Sequence, residues 1–309
     1  MFALGLMLLI ISGSWAIKSL DRIGGILHLS QFTLGFVLMA FATNLPEIFV
    51  AMNAVGQNQV ELSFGNLIGS NIVNLGLILG VVYILSYKQA ARNRFTLDLA
   101  LNLFIIAVIL LFLLDGAIVR MEGLVLLMLF GLRIFILYKD KDQVSGMIES
   151  THNVGEIFKQ LFLFGLAIAI MIGSAYILVG AGTRIAQELG VSPFVVGLLG
   201  ISLGTTLPEL VFSIQVVLQK KTVMAVGNLL GSALINLTLI LGSLTVVQPI
   251  QLSGYSPNFS IIILAVIGGV LLLADYQYFK NKLLLGMLLL IIYATYVIGE
   301  IYQVALIGG

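Results

Sequence analysis

Apolar residues run along this chain in blocks, and most blocks are too long for a strand or an ordinary buried helix. A membrane-spanning helix needs about 20 mostly apolar residues, and ten segments reach or approach that length. The pattern predicts five spans in the first half: Phe2–Ile17, Phe32–Val55, Gly65–Tyr87, Phe95–Leu114 and Gly123–Tyr138. A polar linker, Lys139 to Glu156, separates them from five more: Leu161–Val179, Pro193–Leu218, Met224–Val246, Phe259–Leu273 and Leu283–Ile301. The first block lacks a basic leader and a small-residue cleavage site, so it reads as a span and not as a removable signal.

Basic residues give the blocks an orientation. Of the 15 Lys and Arg, 13 fall in one set of alternate loops: Lys18, Arg22, Lys88, Arg92, Arg94, Arg133, Lys139, Lys141, Lys159, Lys220, Lys221, Lys280 and Lys282. The other set holds only Arg120 and Arg184. Cytoplasmic loops carry the excess of Lys and Arg, so both termini are expected outside. Composition agrees: 60% of the 309 residues are hydrophobic and 9% charged, where a soluble domain carries about 25% charged residues. A net charge of +1 without a basic run gives no reason to expect nucleic acid. With no Cys in the chain, disulfides, thiolate metal sites and cysteine nucleophiles are excluded. Both His, His28 and His152, fall in expected loops.

One stretch occurs twice. Ala42 to Gly80 aligns with Gly204 to Gly242 at a constant offset of 162, without a gap, and 17 of 39 positions are identical. The matches gather at Thr-x-Leu-Pro-Glu, at Gly-Asn-Leu-x-Gly-Ser, and at an Asn four residues beyond that Ser. Five spans per copy is an odd number, so the second copy enters the membrane from the opposite face. Inverted pairs of this kind are the architecture of many secondary transporters. The expected fold is an all-α membrane protein of ten transmembrane helices in two inverted-topology five-helix repeats. Residues 1–138 form the first repeat, 139–156 a cytoplasmic linker and 157–309 the second. That linker is too short for a folded regulatory module.

The duplicated motifs hold the candidate chemistry. Glu47 and Glu209 are the charged residues expected well inside spans, while Asp98, Asp115, Asp275 and Glu300 are expected to reach the interface. A charge at mid-membrane costs about 2.5–3.5 kcal/mol on insertion scales, and the spans offer no Lys, Arg or His at that depth. A cation or a proton is left as the compensating partner. Pro46 and Pro208 precede the two carboxylates and free carbonyls near Ala42 and Thr43, and near Gly204 and Thr205. Gly65, Gly69, Gly227 and Gly231 suit close helix approach. Ser70 with Asn74, and Ser232 with Asn236, lie four apart on one helix face. A donor set of hard oxygens favours Ca²⁺ or Na⁺ over transition metals, and two carboxylates balance one Ca²⁺ or two Na⁺. The residues on their own point to a cation antiporter, with no cofactor.

At these motifs the sequence resembles the sodium/calcium exchanger branch of the cation/calcium antiporters, whose inverted alpha-repeats carry Gly-Thr-Ser-Leu-Pro-Glu and Gly-Asn-x-x-Gly-Ser. The resemblance implies that Glu47 and Glu209 bind Ca²⁺ with the backbone carbonyls of Thr43 and Thr205. It implies Na⁺ sites built from the same carboxylates with Thr43, Asn44, Thr205, Thr206, Ser70 and Ser232, and Asn74 and Asn236 between the carboxylates. It also implies alternating access, with spans one and six sliding across the other eight. Three positions depart from the family: Ala42 replaces Gly, Asn44 and Thr206 replace Ser, and position 236 is Asn where some relatives have Asp. Without that Asp, potassium cotransport is not expected.

The favoured reading is Ca²⁺/Na⁺ exchange across a prokaryotic cell membrane, by a chain expected to be monomeric in the lipid bilayer. The alternative is exchange of Ca²⁺ or another divalent ion for protons on the same fold. A channel has no need of the inverted duplication, and an intramembrane enzyme lacks any recognisable nucleophile.

Overall fold

The computed structural model describes residues 1–26, 40–88, 95–139, 154–252, 257–276 and 281–307. The first part of the second expected span, most of the 139–156 linker, both His and the basic residues Arg92, Arg94, Lys141 and Lys280 lie outside them.

Helices account for nearly all of the described chain. In the first half they are α1 (Phe2–Ile26), α2 (Ala40–Thr43), α3 (Leu45–Gly56), α4 (Val60–Ile72), α5 (Leu79–Leu85), α6 (Thr96–Phe112) and α7 (Arg120–Lys139). In the second they are α8 (Val154–Leu189), α9 (Pro193–Val195), α10 (Ser202–Thr205), α11 (Leu207–Leu218), α12 (Thr222–Ile235), α13 (Leu241–Val247), α14 (Asn258–Tyr276) and α15 (Lys282–Ile307). Three π-helical segments, Val73–Ile78, Val196–Ile201 and Asn236–Ile240, join α4 to α5, α9 to α10 and α12 to α13.

Seven helical stretches among the described residues are long and apolar enough to cross a membrane: Val60–Leu85, Thr96–Asp115, Gly155–Leu189, Pro193–Leu218, Thr222–Val247, Asn258–Asp275 and Lys282–Gln303. They correspond to expected spans three, four and six to ten. Among the described residues, the first and second blocks contribute apolar helical stretches over Phe2–Ala16, within the longer α1, and over Leu45–Gly56. The fifth is helical over Arg120–Lys139, but Arg120, Glu122, Arg133 and Lys139 reduce its apolar run.

One expected boundary differs markedly. The apolar pattern ended the sixth span at Val179, whereas α8 runs 36 residues to Leu189. At 1.5 Å per residue that is about 54 Å, far more than a hydrocarbon core of about 30 Å. Hydropathy registers only the middle; Glu156, Lys159 and Gln160 at one end, and Arg184, Gln187 and Glu188 at the other, are good helix formers that continue it.

Contacts between helix ends sort into two groups. In one, Ala117 pairs with Gln251 and Ile118 with Ile250 in a small antiparallel ribbon, Gln248 donates to Asn58 Oδ1 at 3.4 Å, and Gln57 donates to the Tyr176 carbonyl at 3.2 Å. In the other, the Phe95 amide and Thr96 hydroxyl donate to Asp275 at 3.3 and 2.5 Å, and Arg22 lies 4.0 Å from Glu156.

Packing separates two apolar bodies. The larger core joins α4–α7 to α11–α15 around Phe64, Leu67, Ile68, Leu229, Leu237 and Tyr296. A smaller one, around Leu9, Phe49, Val50, Met171 and Leu178, sits where α1 and α8 meet α3. Gly13 of α1 faces both prolines, where an added Cβ would lie 3.4 Å from Pro46 Cγ and 3.4 Å from Pro208 Cγ.

Two acidic residues expected at the interface are instead buried. Asp98 is 7% exposed and pairs with Arg133, itself 5% exposed; Glu300 is fully buried and accepts from Ser260 at 2.5 Å. Each sits near a helix end in sequence but under a neighbouring helix in space. Removing one partner of a buried ion pair costs about 3–5 kcal/mol, while replacing both with apolar groups is often neutral. Arg133→Ala is therefore expected to lower the melting temperature in detergent substantially. Asp98→Leu combined with Arg133→Met should recover most of that loss; a double variant as unstable as the single one would refute this account.

Candidate ion-binding site

The site is assembled where two helices break. Pro46 and Pro208 occupy the first turn of α3 and α11, a position that tolerates a missing N–H. The preceding residues, Asn44 and Thr206, take near-bridge backbone angles of φ −82°, ψ 0° and φ −87°, ψ −1°. Each break aims a fully buried glutamate, Glu47 or Glu209, into the protein from the first turn of the following helix.

Around the glutamates the hydroxyls cross from one repeat to the other, and each threonine's crossing contacts have counterparts at the offset of 162. Thr43 Oγ1 lies 3.2 Å from Ser232 Oγ and donates to Asn228 Oδ1 at 3.4 Å. In the mirror set, Thr205 Oγ1 lies 3.3 Å from Ser70 Oγ and donates to Asn66 Oδ1 at 3.1 Å. Ser70 also donates to Glu47 Oε1 at 3.3 Å, and Thr205 stands close enough to act on the same carboxyl. Thr43 bears in the same way on Glu209.

Neither oxygen of Glu209 has a hydrogen-bond partner within 3.5 Å, and Glu47 Oε2 has none. Among the described residues no Lys, Arg or His pairs with either acid. No group of three or more His, Cys, Asp or Glu suited to a metal ion occurs among the described residues either. A cation between these two acids would draw the rest of its shell from neutral oxygens. Buried charges are ordinarily paired, and here three carboxylate oxygens, Glu47 Oε2 and both of Glu209, have no hydrogen-bond partner.

The expected residues fall into three groups. Glu47, Ser70 and Thr205 meet on one side, and Thr43 and Ser232 meet on the other beside Glu209. Asn44 and Thr206 instead donate to their own preceding turns: Asn44 Nδ2 to the Ala40 carbonyl, and Thr206 Oγ1 to the Ser202 carbonyl at 2.8 Å. The two substitutions from the family pattern thus make equivalent hydrogen bonds, and Asn44 keeps a buried Oδ1 with no partner. Asn74 and Asn236 are fully buried at the start of two π segments, and neither amide has a hydrogen-bond partner.

Two residues were missed. Asn66 and Asn228, fully buried, hold the threonines of the opposite repeat. Their signal was present in the duplicated Gly-Asn-Leu-x-Gly-Ser, where only the Gly and Ser received roles. The glycines do bring helices together: a Cβ at Gly65 would overlap the Phe194 carbonyl, and one at Gly69 would overlap that of Leu198. This approach puts α4 against the π segment Val196–Ile201 and α10, within reach of Thr205.

Two buried carboxylates at paired helix breaks, wrapped in helices long and apolar enough to span a membrane, define the class: a multi-pass membrane protein with a buried acidic pair at its centre. Comparison places it further. The model of the family described as "Sodium/calcium exchanger protein" matches residues 1–139 and 159–302, and the chain belongs to that family. An uncharacterized membrane protein of Methanocaldococcus jannaschii is 32% identical over 260 residues, covering 81% of this chain and 82% of that one. Sodium/calcium exchanger MaX1 of Methanosarcina acetivorans is 25% identical, with 97% of both chains covered. Among solved structures, the sodium-calcium exchanger NCX_Mj superposes with a TM-score of 0.69 at 26% identity, covering 96% of each chain.

Proposed function

We propose that this protein is a secondary antiporter that exchanges Ca²⁺ for Na⁺ at one central site, with Glu47 and Glu209 as its charged ligands. The observation that carries the reading is the pair of fully buried glutamates, three of whose four carboxylate oxygens have no hydrogen-bond partner, ringed by crosswise hydroxyls. One Ca²⁺ or two Na⁺ neutralise the pair, so each ion excludes the other and exchange follows from competition. Hard oxygens suit both ions. Thr43, Thr205, Ser70 and Ser232 would complete the shell, with Asn44 Oδ1, Thr206, Asn74 and Asn236 as further oxygen donors. Family membership and the likeness to MaX1 and NCX_Mj, both named as sodium/calcium exchangers, support the choice of ions.

Two inverted five-helix repeats and alternating access belong to the same proposal. The offset of 162 relates the site's hydrogen bonds, and it relates the helix pair with Gly242 against Gly123 to that with Gly80 against Gly286 within one residue. The two groups of helix-end contacts join the loops that the basic residues assign to one face. α1 and α8 share the smaller apolar core, and α1 rests on the two prolines through Gly13. A pair so separated can move while the main core stays fixed, opening the site to each side in turn.

The test is ⁴⁵Ca²⁺ uptake into proteoliposomes loaded with Na⁺ at equal pH on both sides. Uptake that collapses when external Na⁺ cancels the gradient is the expected result. No uptake there, but uptake under an imposed pH gradient, would replace Na⁺ with protons as the counter-ion.

A further inference from the structure

Hydroxyl ligands raise a question that the carboxylates do not. A threonine hydroxyl has one proton and two lone pairs, and it serves a cation only when its proton points elsewhere. Within the site, Thr43 and Thr205 each have several oxygens to choose from. Besides the opposite-repeat Asn and Ser, Thr43 Oγ1 lies 3.4 Å from the Ala40 carbonyl and Thr205 Oγ1 3.3 Å from the Ser202 carbonyl. For Thr205 the shortest of these is to Asn66 Oδ1, at 3.1 Å.

We propose that Asn66 and Asn228 are positioning residues: each takes the hydroxyl proton of a threonine from the opposite repeat, and so turns that oxygen's lone pairs to the cation. The inference rests on the cation site proposed above. Three observations support it. Both amides are fully buried, yet the Nδ2 of each has no hydrogen-bond partner. A polar side chain half-satisfied in a dry interior is costly, so a purely structural role would be better filled by an apolar residue. Next, the contact is made twice, at the same offset and in the same sense, Thr205 to Asn66 and Thr43 to Asn228. Lastly, the backbone is brought close where Asn66 sits: a Cβ on Gly197 would lie 2.8 Å from the Asn66 backbone nitrogen. The helix that carries Asn66 is therefore held against the segment that leads into Thr205.

The arrangement also ties the repeats together. Thr43 precedes Glu47 in the first repeat but is held by the second, and Thr205 is held by the first. If the repeats shift relative to each other, both threonines lose their acceptors together and the cation shell loosens on both sides.

A double-mutant cycle tests this, read from the Ca²⁺-dependent rise in melting temperature of the purified full chain, with Na⁺-driven ⁴⁵Ca²⁺ uptake measured in parallel. Asn66→Ala is expected to weaken apparent Ca²⁺ affinity about tenfold while leaving the ion-free melting temperature within a few degrees, a tenfold change being 1.4 kcal/mol. Thr205→Val should have a similar effect. Because Asn66 acts through Thr205, the double variant should be no weaker than either single one, whereas Asn66→Ala with Thr43→Val should add. Asn66→Asp, which keeps the acceptor, should retain more affinity than Asn66→Ala. Full additivity of Asn66→Ala with Thr205→Val, or an Asn66→Ala protein that binds like the parent, overturns the positioning role. Ca²⁺ binding that follows the expected cycle without any Na⁺-driven uptake would instead overturn the proposed counter-ion and leave the positioning role standing.

Discussion

Glu47→Gln and Glu209→Gln are each expected to abolish Na⁺-driven Ca²⁺ uptake in proteoliposomes, by about 100-fold or more. The glutamine keeps the shape and one oxygen but removes the charge. With no basic side chain paired to either acid among the described residues, nothing else in the site changes to compensate. Losing one partner of a buried charge pair costs about 3–5 kcal/mol, and every 1.4 kcal/mol is tenfold in affinity. Both variants should nevertheless fold. In the absence of ions, Glu209 is a buried carboxyl whose two oxygens have no hydrogen-bond partner; an amide there removes a charge that is expensive to bury. The ion-free melting temperature of Glu209→Gln should therefore equal or exceed that of the parent, while its Ca²⁺-dependent rise disappears. Uptake within twofold of the parent in both variants would remove the glutamates from the mechanism. Loss of uptake together with a collapse of ion-free stability would make them structural groups.

Much of this was legible because duplication acts as an internal control. A single Thr-x-Leu-Pro-Glu in apolar sequence is open to many readings; two at a fixed offset, each followed by Gly-Asn-Leu-x-Gly-Ser, are not. The buried glutamates, the Ser70 and Ser232 contacts and the helix breaks at Pro46 and Pro208 could all be read from residue type and spacing. The π segments could not. Apart from Asn74, Asn236 and Thr238, Val73–Ile78 and Asn236–Ile240 are apolar or Gly and carry no π-specific signal, and the extra residue in a turn is decided by how neighbouring helices press on it. Asp98, Arg133 and Glu300 were misplaced for a related reason. Position near a helix end suggests exposure, but exposure depends on which helix lies alongside, and that is a tertiary fact. Asn66 was hidden by its companions: Gly and Ser had ready roles in packing and ligation, and the amide needed a partner 139 residues away to show its own.

Gly65→Ala and Gly197→Ala are expected to be severe, although each adds one methyl group. A Cβ on Gly65 would overlap the Phe194 carbonyl oxygen and lie 2.8 Å from the Phe194 carbonyl carbon. One on Gly197 would overlap the Leu62 carbonyl oxygen and lie 2.9 Å from the Leu62 carbonyl carbon. These obstacles are backbone, so rotamer changes cannot relieve them, and α4 must separate from the π segment Val196–Ile201. Overpacking costs about 1–3 kcal/mol, occasionally more, and a backbone clash belongs at the upper end. Gly131→Ala provides the control, since no atom lies within 4 Å of a Cβ added there, and it should leave the melting temperature unchanged. The functional consequence should exceed the stability loss. Asn66 and Ser70 ride on α4, Thr205 on α10, and their hydrogen bonds of 3.1 and 3.3 Å leave little slack before they weaken. A protein of Gly65→Ala that remains folded should still bind Ca²⁺ poorly, because the two halves of the shell are held apart. If it instead binds Ca²⁺ with the parent's affinity, the site does not depend on the close approach of these helices.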